Sequence, residues 1–466
     1  MDGWTRRVGA GLAVLLTCGC GGAVARPAAS SRPDLVVYVL VDALRADRLG
    51  CYGSNRGLTP HLDALAQEGV LFEAVQASST WTRSSIASMF TSLHAGSHQV
   101  LGRTDGLADE QLTLAEVLRA HGLETLAVTT NGNAGREFGF SQGFDAFVYP
   151  PMTVEGEFLA EGVTELALQT VAQRVDRLEG QPLFLYLHYI DPHDPYLPRP
   201  GAPVTEAPGR FDGTRPSLEA FDGLPQQERL PADEERLRSL YDGEVWYADA
   251  WVGRLVEGLR RLGVLDRTLL VFTADHGEEL WEHGLRGHGH NLYQSTLQVP
   301  LVVRYPDASR PAPRRVAEPI STVDIAPTIL GALGLEPPAG WQGRDLRPLA
   351  EGRPRAPGLE GIYSELVIEG RRLQALRLGS LKLIRQTRGP GTAPALARYE
   401  LYDLASDPRE ATDLAEREPA SRARLEALLD RWQGAVEAAA GTAWRVSPDQ
   451  LSESTLEELK ALGYLE

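Results

Sequence analysis

Between residues 34 and 349 the chain alternates short apolar runs with amphipathic stretches, and two of the apolar runs end on acids. Residues 35–41, 125–129, 183–190, 268–274 and 299–304 read as strands. Residues 62–68, 84–93, 113–120, 159–177 and 236–262 read as helices. Strands that are apolar throughout, separated by helices, predict an α/β fold: a mostly parallel sheet with helices on both faces. Such sheets bind ligands beyond the carboxyl ends of their strands, so the residues that follow each apolar run carry the information. Val36-Val37-Tyr38-Val39-Leu40-Val41 ends on Asp42, and the run from Leu269 to Phe272 leads into Asp275-His276-Gly277-Glu278. Oxygen and nitrogen donors at two strand ends, far apart in sequence, point to one shared metal site.

The organisation beyond this region is simpler. Residues 192–229 are polar and rich in Pro and Gly and read as a surface loop. Residues 337–358 are dense in Pro, Gly and Arg and mark a boundary. After it, residues 359–366, 373–378, 381–386 and 398–402 read as short antiparallel strands, and 421–440 as a helix with Ser421 as its cap. The expected division is a catalytic domain at 34–349, a smaller C-terminal antiparallel subdomain at 350–446 and a helical tail at 447–466. With 466 residues, 43% hydrophobic and 23% charged, the chain has ample core for this plan. A formal net charge of −17 and the lack of a Lys/Arg-rich block argue against nucleic acid as a partner.

The first 20 residues read as an export signal. Arg6 and Arg7 precede a short apolar segment from Gly9 to Leu16, too short to span a bilayer, and Thr17-Cys18-Gly19-Cys20 follows. This pattern resembles a bacterial lipoprotein signal with Cys20 as the lipidated residue. Cys18 is the alternative, and so is a plain signal peptide cleaved near Ala25. Residues 21–33 would form a tether. The expectation is a membrane-anchored, periplasmic or cell-surface protein. Processing would leave Cys51 without an obvious partner, so no disulfide framework is expected.

The nucleophile candidate is Thr82, in Ser79-Thr80-Trp81-Thr82-Arg83-Ser84-Ser85. It stands just before the expected helix 84–93, where backbone N–H groups and the helix dipole favour an anion. A divalent metal nearby would lower the hydroxyl's pKa and activate it. An N-cap role for Thr82 fits the same position. Arg83 beside it is a candidate substrate contact. Arg45 and Asp47 read as a structural pair that shapes the loop after Asp42.

The Asp42, Thr82 and Asp275 segments together resemble the three signature segments of the sulfatase family, in the alkaline phosphatase superfamily. Tyr189-Ile190-Asp191-Pro192-His193 resembles the family segment with a substrate-contacting histidine, and Glu400-Leu401-Tyr402-Asp403 its C-terminal strand and turn. The similarity runs from about residue 34 to 414. It implies an alkaline-phosphatase-like sandwich and an ester hydrolase acting on an anionic substrate. Sulfatases carry Cys or Ser at the nucleophile position, which is oxidised to formylglycine. Thr82 stands there instead, as in the phosphodiesterases and phospho-group transferases of the superfamily, where threonine forms a covalent phospho-intermediate.

The implied metal ligands are Asp42, Thr82, Asp275 and His276, holding one divalent ion. One imidazole among oxygens shifts preference toward Mn²⁺ or Zn²⁺ while leaving Ca²⁺ open. His193 is implied as general acid or as donor to a substrate oxygen, and His288 stands where relatives place a lysine. Asn131 and Thr129 stand at a strand end where sulfatases place cations, which favours a singly charged diester or phosphonate over a doubly charged monoester. His188, His283 and His290 read as structural. The leading expectation is a metal-dependent hydrolase of phosphate, phosphonate or sulfate esters with Thr82 as nucleophile. The alternatives are a phospho-group transferase to an envelope acceptor and a non-catalytic envelope protein that binds an anionic glycan.

Overall fold

The computed structural model describes residues 32–149, 159–204, 207–388, 397–442 and 444–461. The expected export signal, Cys18, Cys20 and most of the tether lie outside the described residues. Among the described residues no helix is long and apolar enough to cross a membrane.

The five expected strands assemble with four others into one nine-stranded sheet. Its order is Arg314–Val316, Val70–Gln76, Gln298–Arg304, Thr268–Ala274, Leu35–Val41, Leu183–Tyr189, Glu124–Thr129, Ala146–Val148, with Ile320–Ser321 also paired to Val70–Gln76. All run parallel except Gln298–Arg304, which is antiparallel to both neighbours. Every residue of the central strand Leu35–Val41 is fully buried, which its unbroken apolar sequence requires. Pro60–Glu68, Ala160–Ala172 and Pro231–Arg261 pack together as one group of helices, and Thr82–Thr91 with Ile325–Ala332 as another. One hydrophobic core runs through the sheet and these layers.

Register is what builds the site. Val41 lies opposite Ala274 on one side and Tyr189 on the other. The next residues of the first two strands, Asp42 and Asp275, therefore leave the sheet at the same level. His188 lies opposite both Leu40 and Thr129, one step below that level.

The helix Thr82–Thr91 (TRSSIASMFT) is buried along its whole length despite its hydroxyls. Those hydroxyls have local partners, as burial demands. Ser85 Oγ donates to Asp275 O at 2.7 Å, Ser88 Oγ lies 2.9 Å from His98 Nε2, and Thr91 Oγ1 donates to Ala87 O at 2.7 Å. The first of these ties the helix that begins with Thr82 to the strand that delivers Asp275.

Some elements differ from the sequence expectation. Val70–Gln76 is a strand, although Glu73 and Gln76 break its apolar run; its antiparallel partner Gln298–Arg304 decides the matter. The 192–229 excursion contains a helix, Arg215–Asp222, with Pro in its first turn and Gly223 at its end. The C-terminal helix is Pro419–Ala438, with Glu418 in the cap position and no side-chain capping bond, so Ser421 lies inside it.

The second sheet is antiparallel: Ile362–Ile368, Arg371–Leu378, Leu381–Arg388 and Arg398–Asp403, in that order. The helix Pro419–Ala438 lies over it around a separate small core that includes Tyr363, Leu376, Leu401 and Leu429. Ser364 Oγ donates to Ala77 O at 2.6 Å, and Glu365 N donates to Ser78 O at 2.8 Å. Its first strand is thereby clamped to the segment that leads into Thr82.

Candidate active site

Asp42, Asp275 and His276 offer ligand atoms that lie within 4.8 Å of one another, and all three residues are buried. Among the described residues this is the one such group. Each carboxylate is fixed through one oxygen and presents the other. Asp42 Oδ2 accepts from Asn131 Nδ2 at 2.6 Å and lies 3.1 Å from His188 Nε2. Asp275 Oδ1 accepts from Ala43 N at 3.2 Å and His276 N at 2.9 Å. The remaining oxygens, Asp42 Oδ1 and Asp275 Oδ2, are buried with no hydrogen-bond partner. They lie 3.8 Å and 3.4 Å from His276 Nε2. His276 Nδ1 lies 2.9 Å from Gly277 O, a pure acceptor, so it carries the proton and leaves Nε2 with its lone pair toward the carboxylates.

Two orphaned carboxylate oxygens and an imidazole lone pair in a buried space form a donor set that fits a divalent cation. The titration behaviour of the three groups follows from the same crowding. Burial, then the adjacent charge of Asp42, pushes Asp275 up to about 6. Burial opposes ionisation of Asp42 too, but the His188 hydrogen bond and the surrounding imidazoles hold its carboxyl well below the usual range. Burial disfavours a charged His276, yet the two carboxylates raise its pKa.

The backbone here is held by specific contacts. Ala43 adopts φ +55°, a conformation uncommon for a residue with a side chain. Tyr241, on the helix Pro231–Arg261, holds that turn: its hydroxyl donates to Ala43 O at 2.8 Å and accepts from Arg45 N at 3.1 Å. Gly277 is needed for close approach, because a Cβ there would stand 2.1 Å from Ser295 O.

Thr82 opens its helix as the first helical residue, with Trp81 in the cap position and no side-chain capping bond. The N-cap role for Thr82 is thus not adopted. Its hydroxyl lies 3.0 Å from His276 Nε2, against the metal-ligand cluster. Beyond His276 the imidazoles continue as a row, tilted and then edge-on. The His288 ring centroid is 4.2 Å from that of His276 and 4.9 Å from that of His193. His288 Nδ1 lies 2.9 Å from Glu278 Oε2, and Glu278 Oε1 accepts from Tyr196 Oη at 2.7 Å. Burial, followed by the field of His276, pushes His288 down to about 4. His193 Nδ1 is 2.7 Å from Asp194 O, which turns its Nε2 away from that anchor.

Several expected substrate contacts are placed differently. Arg83 faces the scaffold: Nε donates to Asn133 O at 2.8 Å, and the guanidinium lies 3.4 Å from the centre of the Phe138 ring. A helix turns successive side chains by about 100°, so Arg83 faces elsewhere when Thr82 faces the cluster. Asn131 holds Asp42, and Thr129 Oγ1 lies 3.3 Å from His188 Nδ1, so both stand behind Asp42 rather than facing the cluster. Asp191 accepts from Ala160 N and pairs with Arg199, outside the cluster. Arg45 and Asp47 do form the expected pair, at 2.8 Å, and Arg45 Nη1 also reaches Glu278 O at 2.9 Å. His188, read as structural, proves to be an anchor of Asp42. The signal that identifies it is a lone imidazole in the apolar strand Leu-Phe-Leu-Tyr-Leu-His-Tyr, where a buried polar group must have a partner.

Comparison with known proteins agrees with this geometry. The family model described as Sulfatase matches residues 34–335, and the model for the N-sulphoglucosamine sulphohydrolase C-terminal region matches residues 282–433. An N-acetylglucosamine-6-O-sulfatase of Bacteroides thetaiotaomicron is 22% identical over 478 residues, covering 83% of each chain. A multifunctional alkaline phosphatase superfamily protein of Trinickia caryophylli is 26% identical, covering 68% of this chain and 77% of its own. Among solved structures, a phosphonate monoester hydrolase of Agrobacterium radiobacter superposes with a TM-score of 0.72 at 22% identity, covering 87% of this chain and 96% of its own. With strand-end acids at the carboxyl edge of its sheet and a family match over most of its length, this chain belongs to the sulfatase family and is an ester hydrolase of the sulfuric and phosphoric ester class.

Proposed function

We propose that this protein hydrolyses singly charged esters of phosphorus or sulfur with Thr82 as the nucleophile. The observation that carries the reading is the position of the Thr82 hydroxyl, 3.0 Å from His276 Nε2 at the start of a buried helix. Asp42, Asp275, His276 and Thr82 would hold one divalent cation, which supplies positive charge to the substrate oxygens and acidifies the hydroxyl. The Thr82 oxygen would form its bond to phosphorus or sulfur as the ester bond breaks, and its hydroxyl proton would pass to solvent water. His193 gives a proton to the departing oxygen. Water then attacks the phosphorylated or sulfated Thr82 with His193 as base; the bond to the Thr82 oxygen breaks, that oxygen regains a proton, and the acid is released. Backbone N–H groups of the first helical turn face the charge that develops.

Substrate charge follows from the cations at hand. Arg83 is turned into the scaffold, and the groups in the row beyond His276 are the imidazoles of His288 and His193. Such a site suits diesters, phosphonate monoesters and sulfate monoesters, each with one negative charge, over a doubly charged phosphate monoester. Anchoring outside the cytoplasm through Cys20 belongs to the same reading and is supported by the signal-like N-terminal sequence. Acid quenching during turnover of a phosphodiester, followed by peptide mass spectrometry, tests the covalent step. An alkyl or aryl phosphoryl group, carrying the ester substituent that does not leave, is expected on the peptide containing Thr82. Turnover at full rate with that peptide never modified would refute it.

A further inference from the structure

A second cavity lies between the C-terminal helix Pro419–Ala438, the strand Ile362–Ile368 and the loop around residue 342, with a volume of about 280 Å³. It is remote from the catalytic cluster. His94, on its wall, follows the C-terminal end of the helix Thr82–Thr91, and ten helical residues put about 15 Å between that end and Thr82. The lining mixes aromatic and apolar side chains with polar ones, Asp324, Gln342 and Arg344 among them. Trp432 stacks on Tyr363 at 8° between ring planes, the His94 ring meets both edge-on, and half-buried Trp341 and exposed Leu359 complete the mouth.

Two polar groups in this lining lack the partners their burial calls for. Arg344 is half-buried; Asp324 and Glu318 attract it, but neither stands within ion-pair distance among the described residues, and its Nη1 reaches Ala356 O at a long 3.4 Å. The nearby Asp324 carboxylate is already engaged by Arg355 Nη1 at 3.0 Å and by the backbone N–H groups of Arg344 and Ser321. His94 is 3% exposed, and its Nδ1 has no hydrogen-bond partner. Most arginines of this chain with comparable burial, such as Arg199, Arg286 and Arg355, sit against carboxylates. A guanidinium with no carboxylate at ion-pair distance and a buried imidazole nitrogen without a partner, beside aromatic walls, form a recognisable combination: apolar walls for a ring and a few placed polar groups that fix its orientation.

We infer that this cavity is a binding site for a planar ring compound bearing one anionic group, an aryl carboxylate or aryl sulfonate/sulfate. The ring would lie among Trp341, Trp432 and Leu359, with its anion on Arg344 and one hydrogen bond to His94. The scarcity of other open polar groups in the lining disfavours a polyhydroxylated sugar. The Gln342 side chain, for example, already accepts from His94 N and donates to Ser97 Oγ.

Calorimetric titration of the full chain with 2-naphthoate and 2-naphthalenesulfonate tests the assignment. Inorganic sulfate serves as the anion without a ring, and 2-naphthol as the ring without an anion. Saturable binding of the two aryl anions at one site is expected, with both controls at least tenfold weaker. Arg344→Gln should weaken the aryl anions by about tenfold or more and Trp341→Ala should weaken them too, while turnover of ester substrates at Thr82 is unchanged in Arg344→Gln. Absence of saturable binding, equal binding of inorganic sulfate, or binding that persists unchanged in Arg344→Gln would overturn the proposal.

Discussion

His188 Nε2 lies 3.1 Å from Asp42 Oδ2, on the carboxylate oxygen opposite to the one that faces Asp275 and His276. Asn131 Nδ2 shares that oxygen at 2.6 Å. The pair therefore orients a candidate metal ligand without entering the Asp42–Asp275–His276 cluster. Groups of this kind typically alter metal affinity by about 10–100-fold when removed. His188→Gln and Asn131→Ala should each weaken divalent-metal binding by about that factor with the fold retained. Metal titration of the metal-free protein followed by calorimetry checks this, and unchanged affinity in both variants would show that Asp42 needs no such support.

The chain holds two lysines, Lys382 and Lys460, against 44 arginines. Lys382 is fully buried, with Nζ 2.6 Å from Glu410 Oε1, and Glu410 also accepts from Gln294 N. This links the second sheet to the segment that follows the metal-ligand turn. Lys382→Met would leave a buried carboxylate without its cation and should destabilise the protein by about 3–5 kcal/mol. Adding Glu410→Gln should recover much of that loss. Thermal or urea unfolding of the single and double variants measures it.

Asp249 caps a helix from a distance. Its carboxylate accepts from His61 N at 3.1 Å and Leu62 N at 2.7 Å, at the start of Pro60–Glu68. Burial is the main cause that pushes its pKa up from 3.8 to about 7, against the pull of those two bonds. An acid with a raised folded-state pKa binds its proton more tightly when folded. Its contribution is therefore greatest below the unfolded value and declines as pH rises from about 4 to 7. Asp249→Asn keeps an acceptor oxygen and removes the titration, so unfolding of this variant should lose that part of the pH dependence. An unaltered stability profile across this range would contradict the assignment.

The N-terminal reading makes its own prediction. Expressed with its leader in a bacterial host, the protein should incorporate radiolabelled palmitate and partition with membranes, and Cys20→Ala should abolish the labelling. Retention of label in Cys20→Ala with loss in Cys18→Ala would move the anchor to Cys18.

What could be read in advance divides along a physical line. Strand ends were legible because an acid after a buried apolar run has few stable roles, and register then placed Asp42 beside Asp275. The direction of a side chain beyond a strand or at a helix start was not legible, since it depends on local turns such as the one at Ala43. For this reason Arg83, Asn131 and Thr129 read as substrate contacts, whereas Arg83 packs on Phe138 and the other two stand behind Asp42. Val70–Gln76 was missed because its pairing with Gln298–Arg304 outweighs a local sequence interrupted by Glu73.

The central claim is that Thr82 performs the chemistry. The most direct measurement compares the wild-type, metal-reconstituted protein with Thr82→Ala on matched 4-nitrophenyl phosphodiester, phosphonate monoester, sulfate and phosphate monoester. The account predicts turnover of singly charged esters, weakest activity on the phosphate monoester, and a loss of at least about 10³-fold in kcat in Thr82→Ala at unchanged thermal stability. Turnover of any of these esters that survives the substitution would contradict it and would require a nucleophile other than Thr82.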